Sequence, residues 1–240
     1  MTESIHKNSS QKTNAILLAF VLLYAIFSYF HNTKYSGIFT GNGASISLPF
    51  VIIEILIFSI SYMTAIWLIT RSGWQSTDLG IPYNKESWYV VAVIILSALY
   101  FTFFDKGIKI GNIFWALLVI INLISYELIF RAILINRMID IIGKQGYAVF
   151  SSILVSSIVY SIVLAPVISL SGITAAKILI LGYLYHRIQS IFLFLFFMAL
   201  LLAPAEYAFW VCLWTAILYL LLSYVTNYLL ILKRDEHSLE

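Results

Sequence analysis

The sequence predicts an all-α, polytopic membrane bundle of about eight transmembrane helices with both termini cytoplasmic, and three observations predict it. Of the 240 residues, 62% are hydrophobic and only 10% are charged, and the mean hydropathy is +0.96. A soluble domain carries about 25% charged residues, so this chain has too little charge to keep its surface in water. Its apolar residues are gathered into runs near the ~20-residue length that a helix needs to cross a hydrocarbon core. Its Lys and Arg residues fall unequally on the two sides of those runs.

Taken in order, the runs are 14–30, 48–70, 88–104, 113–142, 147–164, 172–185, 190–203 and 206–232. The first follows a polar tail at 1–13. It is longer than a signal-peptide core and no clean small-residue cleavage site follows it, so it reads as a retained span. The second carries Glu54, an intramembrane carboxylate close enough to the span end to reach the interface, or able to face Arg131 or Lys177. The fourth is too long for one straight crossing and holds Glu127, Arg131, Arg137 and Asp140, so it is expected to cross and then bend along the interface. Pro166 and Gly172 break the chain between the fifth and sixth runs, and Pro204 breaks it before the last. Residues 233–240 form a second polar tail. No repeat or low-complexity linker divides residues 14–232, which read as one transmembrane domain.

Orientation follows from the basic residues. With the N-terminus inside, nine of them (Lys7, Lys12, Arg71, Lys85, Arg137, Lys144, Arg187, Lys233 and Arg234) face the cytoplasm, and three (Lys34, Lys106 and Lys109) face outward. That split obeys the positive-inside rule. No Lys/Arg run marks a nucleic-acid surface. The single cysteine, Cys212, lies in an apolar run and reads as a small buried hydrophobe, with no cysteine cluster to hold a metal. The partner this composition implies is membrane lipid. Ser151, Ser152, Ser156 and Ser157 line the fifth run at helical spacing and read as a close-packing surface.

Ionisable residues inside hydrocarbon are costly and point to function by default. The densest group is Ser125-Tyr126-Glu127-Leu128-Ile129-Phe130-Arg131. Glu127 and Arg131 are four apart, on one helix face with the acid N-terminal, the favourable order for an ion pair. Two readings are open: a self-neutralising structural pair, or a buried polar site formed with Glu54.

The same stretch resembles the first motif of the CPBP family, the CAAX-protease and bacteriocin-processing membrane proteins also called Abi. That motif is two glutamates, three residues, then arginine, with Phe before the arginine; here the positions hold Tyr126, Glu127, Phe130 and Arg131. The second motif, Phe, three residues, then His, resembles Tyr160-Ser161-Ile162-Val163-Leu164. The third resembles Gly182-Tyr183-Leu184-Tyr185-His186-Arg187-Ile188-Gln189-Ser190, after which Met198 stands where His is expected and Leu201 and Leu202 cover the expected Asn. The resemblance covers about 113–202 and implies the eight-span fold. In active members a glutamate activates water and two histidines complete a metal or water site. Here the positions are Tyr126, Leu164 and Met198. A phenol is a poor general base at neutral pH, and leucine ligates nothing. The chain's histidines, His6, His31, His186 and His237, lie in tails or at run ends.

The resemblance therefore implies a non-catalytic relative that holds a partner, similar to lysostaphin-resistance and bacteriocin self-immunity proteins of a bacterial plasma membrane, with no cofactor. Two further readings stay open. One is a CAAX-type intramembrane metalloendopeptidase using Glu127, with zinc. The other is a small transporter or lipid-binding bundle using Glu54, Glu127 and Arg131.

Overall fold

In lipid a segment must satisfy its own backbone N–H and C=O groups, and helix is the state that does so within one stretch of chain. A computed structural model of the chain describes residues 2–39, 46–71, 92, 96, 113–143, 145–168, 172–188 and 208–237. Among them there is no strand. The helices are α1 (Thr2–Phe39), α2 (Leu48–Arg71), α3 (Ile113–Tyr126), a π-helical segment (Glu127–Ile133), α4 (Leu134–Ile142), α5 (Gly146–Leu164), α6 (Gly172–Ile188) and α7 (Ala208–His237). Among the described residues four apolar stretches are long enough to cross a membrane: Thr13–Gly37, Leu48–Ile69, Ile113–Ile142 and Gly146–Leu164. A shorter apolar helix covers Phe209–Leu222. The predicted spans 88–104 and 190–203 lie outside the described residues, apart from helical Ala92 and Leu96.

The polar tail at 1–13 is helical from Thr2, and α1 continues through the first span until Tyr35, where the backbone leaves helical values (φ −111°, ψ 16°). The tail after 232 is helical as far as His237. Within 113–142, where a bend is expected, the α-helix gives way to the π-helical segment Glu127–Ile133, and such segments are a usual seat of helix kinks. Tyr126, Ile133 and Leu134 all keep right-handed helical backbone, and the run stays one continuous helix with its middle wound as π.

The described residues fall into two compact units, 1–44 with 63–74 and 126–189, and 45–62 with 75–125 and 190–240. In the first unit α1 turns Leu17, Val21, Tyr24, Ser28 and His31 inward, a spacing of three and four that lines one helix face. Its other face, with Leu22, Leu23, Ile26 and Phe30, is exposed and equally apolar. A helix that is apolar all round suits a bundle in lipid. Gly182 of α6 lies so close to α5 that a Cβ added there would meet Ile153 Cγ2 at 3.0 Å and Ser157 Oγ at 3.2 Å. Small residues of this kind let membrane helices approach. Between α4 and α5 the chain turns at Gly143, whose φ of +118° strains any side chain.

In the second unit the indole N–H of Trp214 on α7 donates to the carbonyl of Ile113, at the start of α3 (3.0 Å). Cys212 is buried and free, as its apolar surroundings predicted.

Candidate functional site

The π-helical segment builds the site. In an α-helix the Leu134 N–H would bond to the carbonyl of Phe130, four residues back. Here it bonds to Ile129 and Arg131 instead. That leaves the Phe130 carbonyl without its helical donor, and Ser156 of α5 supplies one, its hydroxyl donating to Phe130 O at 2.6 Å. A buried carbonyl left unpaired would be costly, so Ser156 holds the widened turn in place. Single π turns of this kind occur often at functional sites.

Within the turn the Glu127 carboxylate accepts two contacts, one at each oxygen. The Tyr160 hydroxyl of α5 donates to Oε1 at 2.9 Å. Arg131 Nε lies 2.9 Å from Oε2, forming the ion pair that the spacing predicted. All three side chains are buried, Glu127 and Tyr160 at 0% exposure and Arg131 at 1%. The Arg131 guanidinium also lies over the Tyr160 ring, 5.2 Å from its centroid. Tyr126, Phe130 and Tyr160 form a continuous aromatic cluster with centroid separations of 5.9–6.1 Å, and Tyr24 of α1 packs on Tyr126 and Phe130.

Tyr126 makes a separate contact. Its hydroxyl donates to Asn32 Oδ1 at 2.9 Å, and Asn32 Nδ2 donates to the Val163 carbonyl at 2.8 Å. That carbonyl is among the last of α5, which have no partner within their own helix. Asn32 thus ties together α1, the start of the π segment and the end of α5. At the far end of α1, Arg137 of α4 donates to Asn14 Oδ1 at 3.0 Å and pairs with Asp140 at 3.2 Å.

Leu164, at the first histidine position, is buried and carries no donor; Met198 lies outside the described residues. A catalytic zinc ion takes three protein ligands of the His, Cys or carboxylate type. Leu164 offers none, the Tyr126 phenol is committed to Asn32, and Glu127 has both oxygens engaged. These residues do not fit such an ion. Among the described residues no three His, Cys, Asp or Glu side chains gather into a possible metal group.

Glu54, read from the sequence as a buried polar residue or one near the interface, is 2% exposed. It accepts from Asn122 Nδ2 of α3 at 3.4 Å, a long contact, while Arg131 is turned to Glu127. Lys177 is exposed on α6. His31 is buried, its ring 5.7 Å from Phe27 and 5.0 Å from Tyr35.

Sequence reasoning missed three contributors to these contacts: Asn32, Asn122 and the particular serine, Ser156. The signal for Asn122 was present, since an amide inside an apolar run needs a partner, whereas Asn32 lies just past the run 14–30. No protein-family model, curated protein or solved structure matches the chain.

Proposed function

We propose that the chain is a non-catalytic membrane protein of the CPBP type, which uses its helical bundle to hold a membrane or secreted protein as a regulator or self-immunity factor of a bacterial plasma membrane. The observation that carries this reading is the commitment of Glu127. Activating a water requires a carboxylate oxygen free to take its proton. Both oxygens of Glu127 are bound instead, one to Tyr160 and one to Arg131. The histidine positions that would complete a hydrolytic site hold Leu164 and Met198.

The proposal includes eight spans with both termini cytoplasmic, with the 1–13 and 233–240 segments inside and the CPBP-like core at about 113–202. The charge split supports it, and so do the two ends of α1. Asn14 meets Arg137, and Asn32 meets Tyr126 and Val163. Hence α1 and α5 run parallel, and the stretch from Tyr126 to Arg137 runs opposite to both. Counting 88–104 as the third span gives that same alternation for the first, fourth and fifth.

Two measurements on the purified protein test the function. Incubated with prenylated or bacteriocin-precursor peptides, it should leave them uncleaved, and a stoichiometric protein should accompany it when it is cross-linked and isolated from native membranes. Cleavage that disappears in a folded Glu127→Ala variant, together with one zinc ion per chain, would replace the proposal with the endopeptidase reading.

A further inference from the structure

We infer that the guanidinium fork of Arg131 is a binding site for a small carboxylate inside the membrane-embedded unit. The inference does not rest on the scaffold proposal, because it concerns donors that neither the Glu127 pair nor the aromatic cluster uses.

Arginine has five N–H donors in a rigid plane. At Arg131 the Nε atom lies 2.9 Å from Glu127 Oε2 as an ion pair, without the alignment of a hydrogen bond, and the face of the plane lies on Tyr160. These two contacts fix the orientation of the plane. The remaining four N–H groups, on Nη1 and Nη2, find no acceptor among the described residues, although the side chain is 1% exposed. Such a group is an exception to the rule that buried donors are paired, and it has the form of a prepared ligand site.

The chemistry of the fork selects the ligand. Two parallel N–H groups match the two oxygens of a planar carboxylate. A phosphate dianion is disfavoured, since desolvation cost climbs with the square of charge and is already severe for a single charge. A lipid phosphodiester is disfavoured because Arg131 is only 1% exposed, with its plane against the Tyr160 ring, rather than open to the bilayer. Charge balance adds a condition. The Glu127–Arg131 pair is neutral, so a second carboxylate would leave one net negative charge in a low-dielectric interior unless a proton enters with it. The proton has two places to sit, the Glu127 carboxylate and the incoming carboxylate, because Arg131 on the same helix is a permanent cation and the phenols of Tyr126, of Tyr160 on α5 and of Tyr24 on α1 already hold theirs.

The test uses the full chain in detergent with ¹³C-acetate as probe and chloride at equal ionic strength as control. Wild type should broaden the acetate resonance saturably and melt at a higher temperature in acetate. Affinity should rise about tenfold per unit fall in pH between about 8 and 6, the linkage slope for one proton. Arg131→Lys, which keeps the charge and loses the fork, should lose the preference for acetate. A short peptide with a free C-terminus and its C-terminal amide separate the two sources of the carboxylate. Competition by the free acid alone marks a polypeptide terminus, and absence of competition by both marks a free small acid. The inference is overturned if wild type shows no saturable binding, if binding is independent of pH, or if a folded Arg131→Lys binds acetate as wild type does.

Discussion

At the scale of single residues, the energetics turn on charges that have left water together. Glu127 and Arg131 neutralise each other at 2.9 Å, and Tyr160 completes the carboxylate's contacts. Removing either partner strands the other in the interior, which typically costs about 3–5 kcal/mol. Glu127→Ala and Arg131→Ala should therefore each lower the melting temperature in detergent and reduce expression. The double replacement by apolar residues should recover much of the loss, since no orphan charge remains. Thermal melts of the three variants side by side check this, and additive losses would show that the pair is not coupled. Ser156→Ala removes the donor to the Phe130 carbonyl and should cost about 1–3 kcal/mol by leaving a buried acceptor unpaired. The pair was legible in the sequence because a spacing of four within one helix needs no tertiary information. The partners Tyr160, Ser156 and Asn32 were not, because contacts 26 to 131 residues apart in the chain depend on how helices pack, and packing leaves no local trace in a run of apolar residues.

At the scale of elements, two features departed from the reading of the chain. The π winding of Glu127–Ile133 could not be read from composition, because Glu-Leu-Ile-Phe-Arg-Ala-Ile is ordinary helix-forming sequence and the widened turn is stabilised from outside, by Ser156. The serine stripe of α5 was read as a packing surface, and it divides its work. Ser152 bonds to its own helix, Ser156 holds the π turn, and Ser157 faces Gly182. Only the last meets the expectation of close approach. Gly182→Ala should push α6 from α5 and destabilise by about 1–3 kcal/mol, the usual cost of overpacking. Ser157→Ala in the same chain should return part of that, because one of the two crowding atoms is then gone. Melting curves for the single and double variants measure both effects, and an unchanged melt for Gly182→Ala would show the helices to be farther apart.

At the scale of the whole molecule, the charge-poor composition identified an all-helical membrane protein, and the four helices long enough to cross agree with it. Which face of each helix turns inward was hidden, because α1 exposes Leu22, Leu23, Ile26 and Phe30 while burying Leu17, Val21 and Tyr24. With lipid outside and protein inside both apolar, hydropathy carries no contrast between them. The proposed topology rests on charge instead. Single cysteines near Lys34 and near Lys106 should react with an impermeant reagent added outside, and cysteines in the first ten residues or after residue 233 should react only after permeabilisation. Labelling of the Lys34 or Lys106 loops from the cytoplasmic side alone would invert the arrangement.

Because Glu127 and Arg131 belong to one helix, their mutual neutralisation is complete before α5, which carries Tyr160, has been synthesised. A lone charged residue at the middle of a nascent span adds roughly 2.5–3.5 kcal/mol to the free energy of its entry into lipid. A counter-charge on another helix would arrive too late to relieve that. Four residues away, it travels with the same segment. The stretch Ile113–Ile142 can leave the translocation machinery as a self-contained unit, and Tyr160, made some thirty residues later, meets a carboxylate already in place.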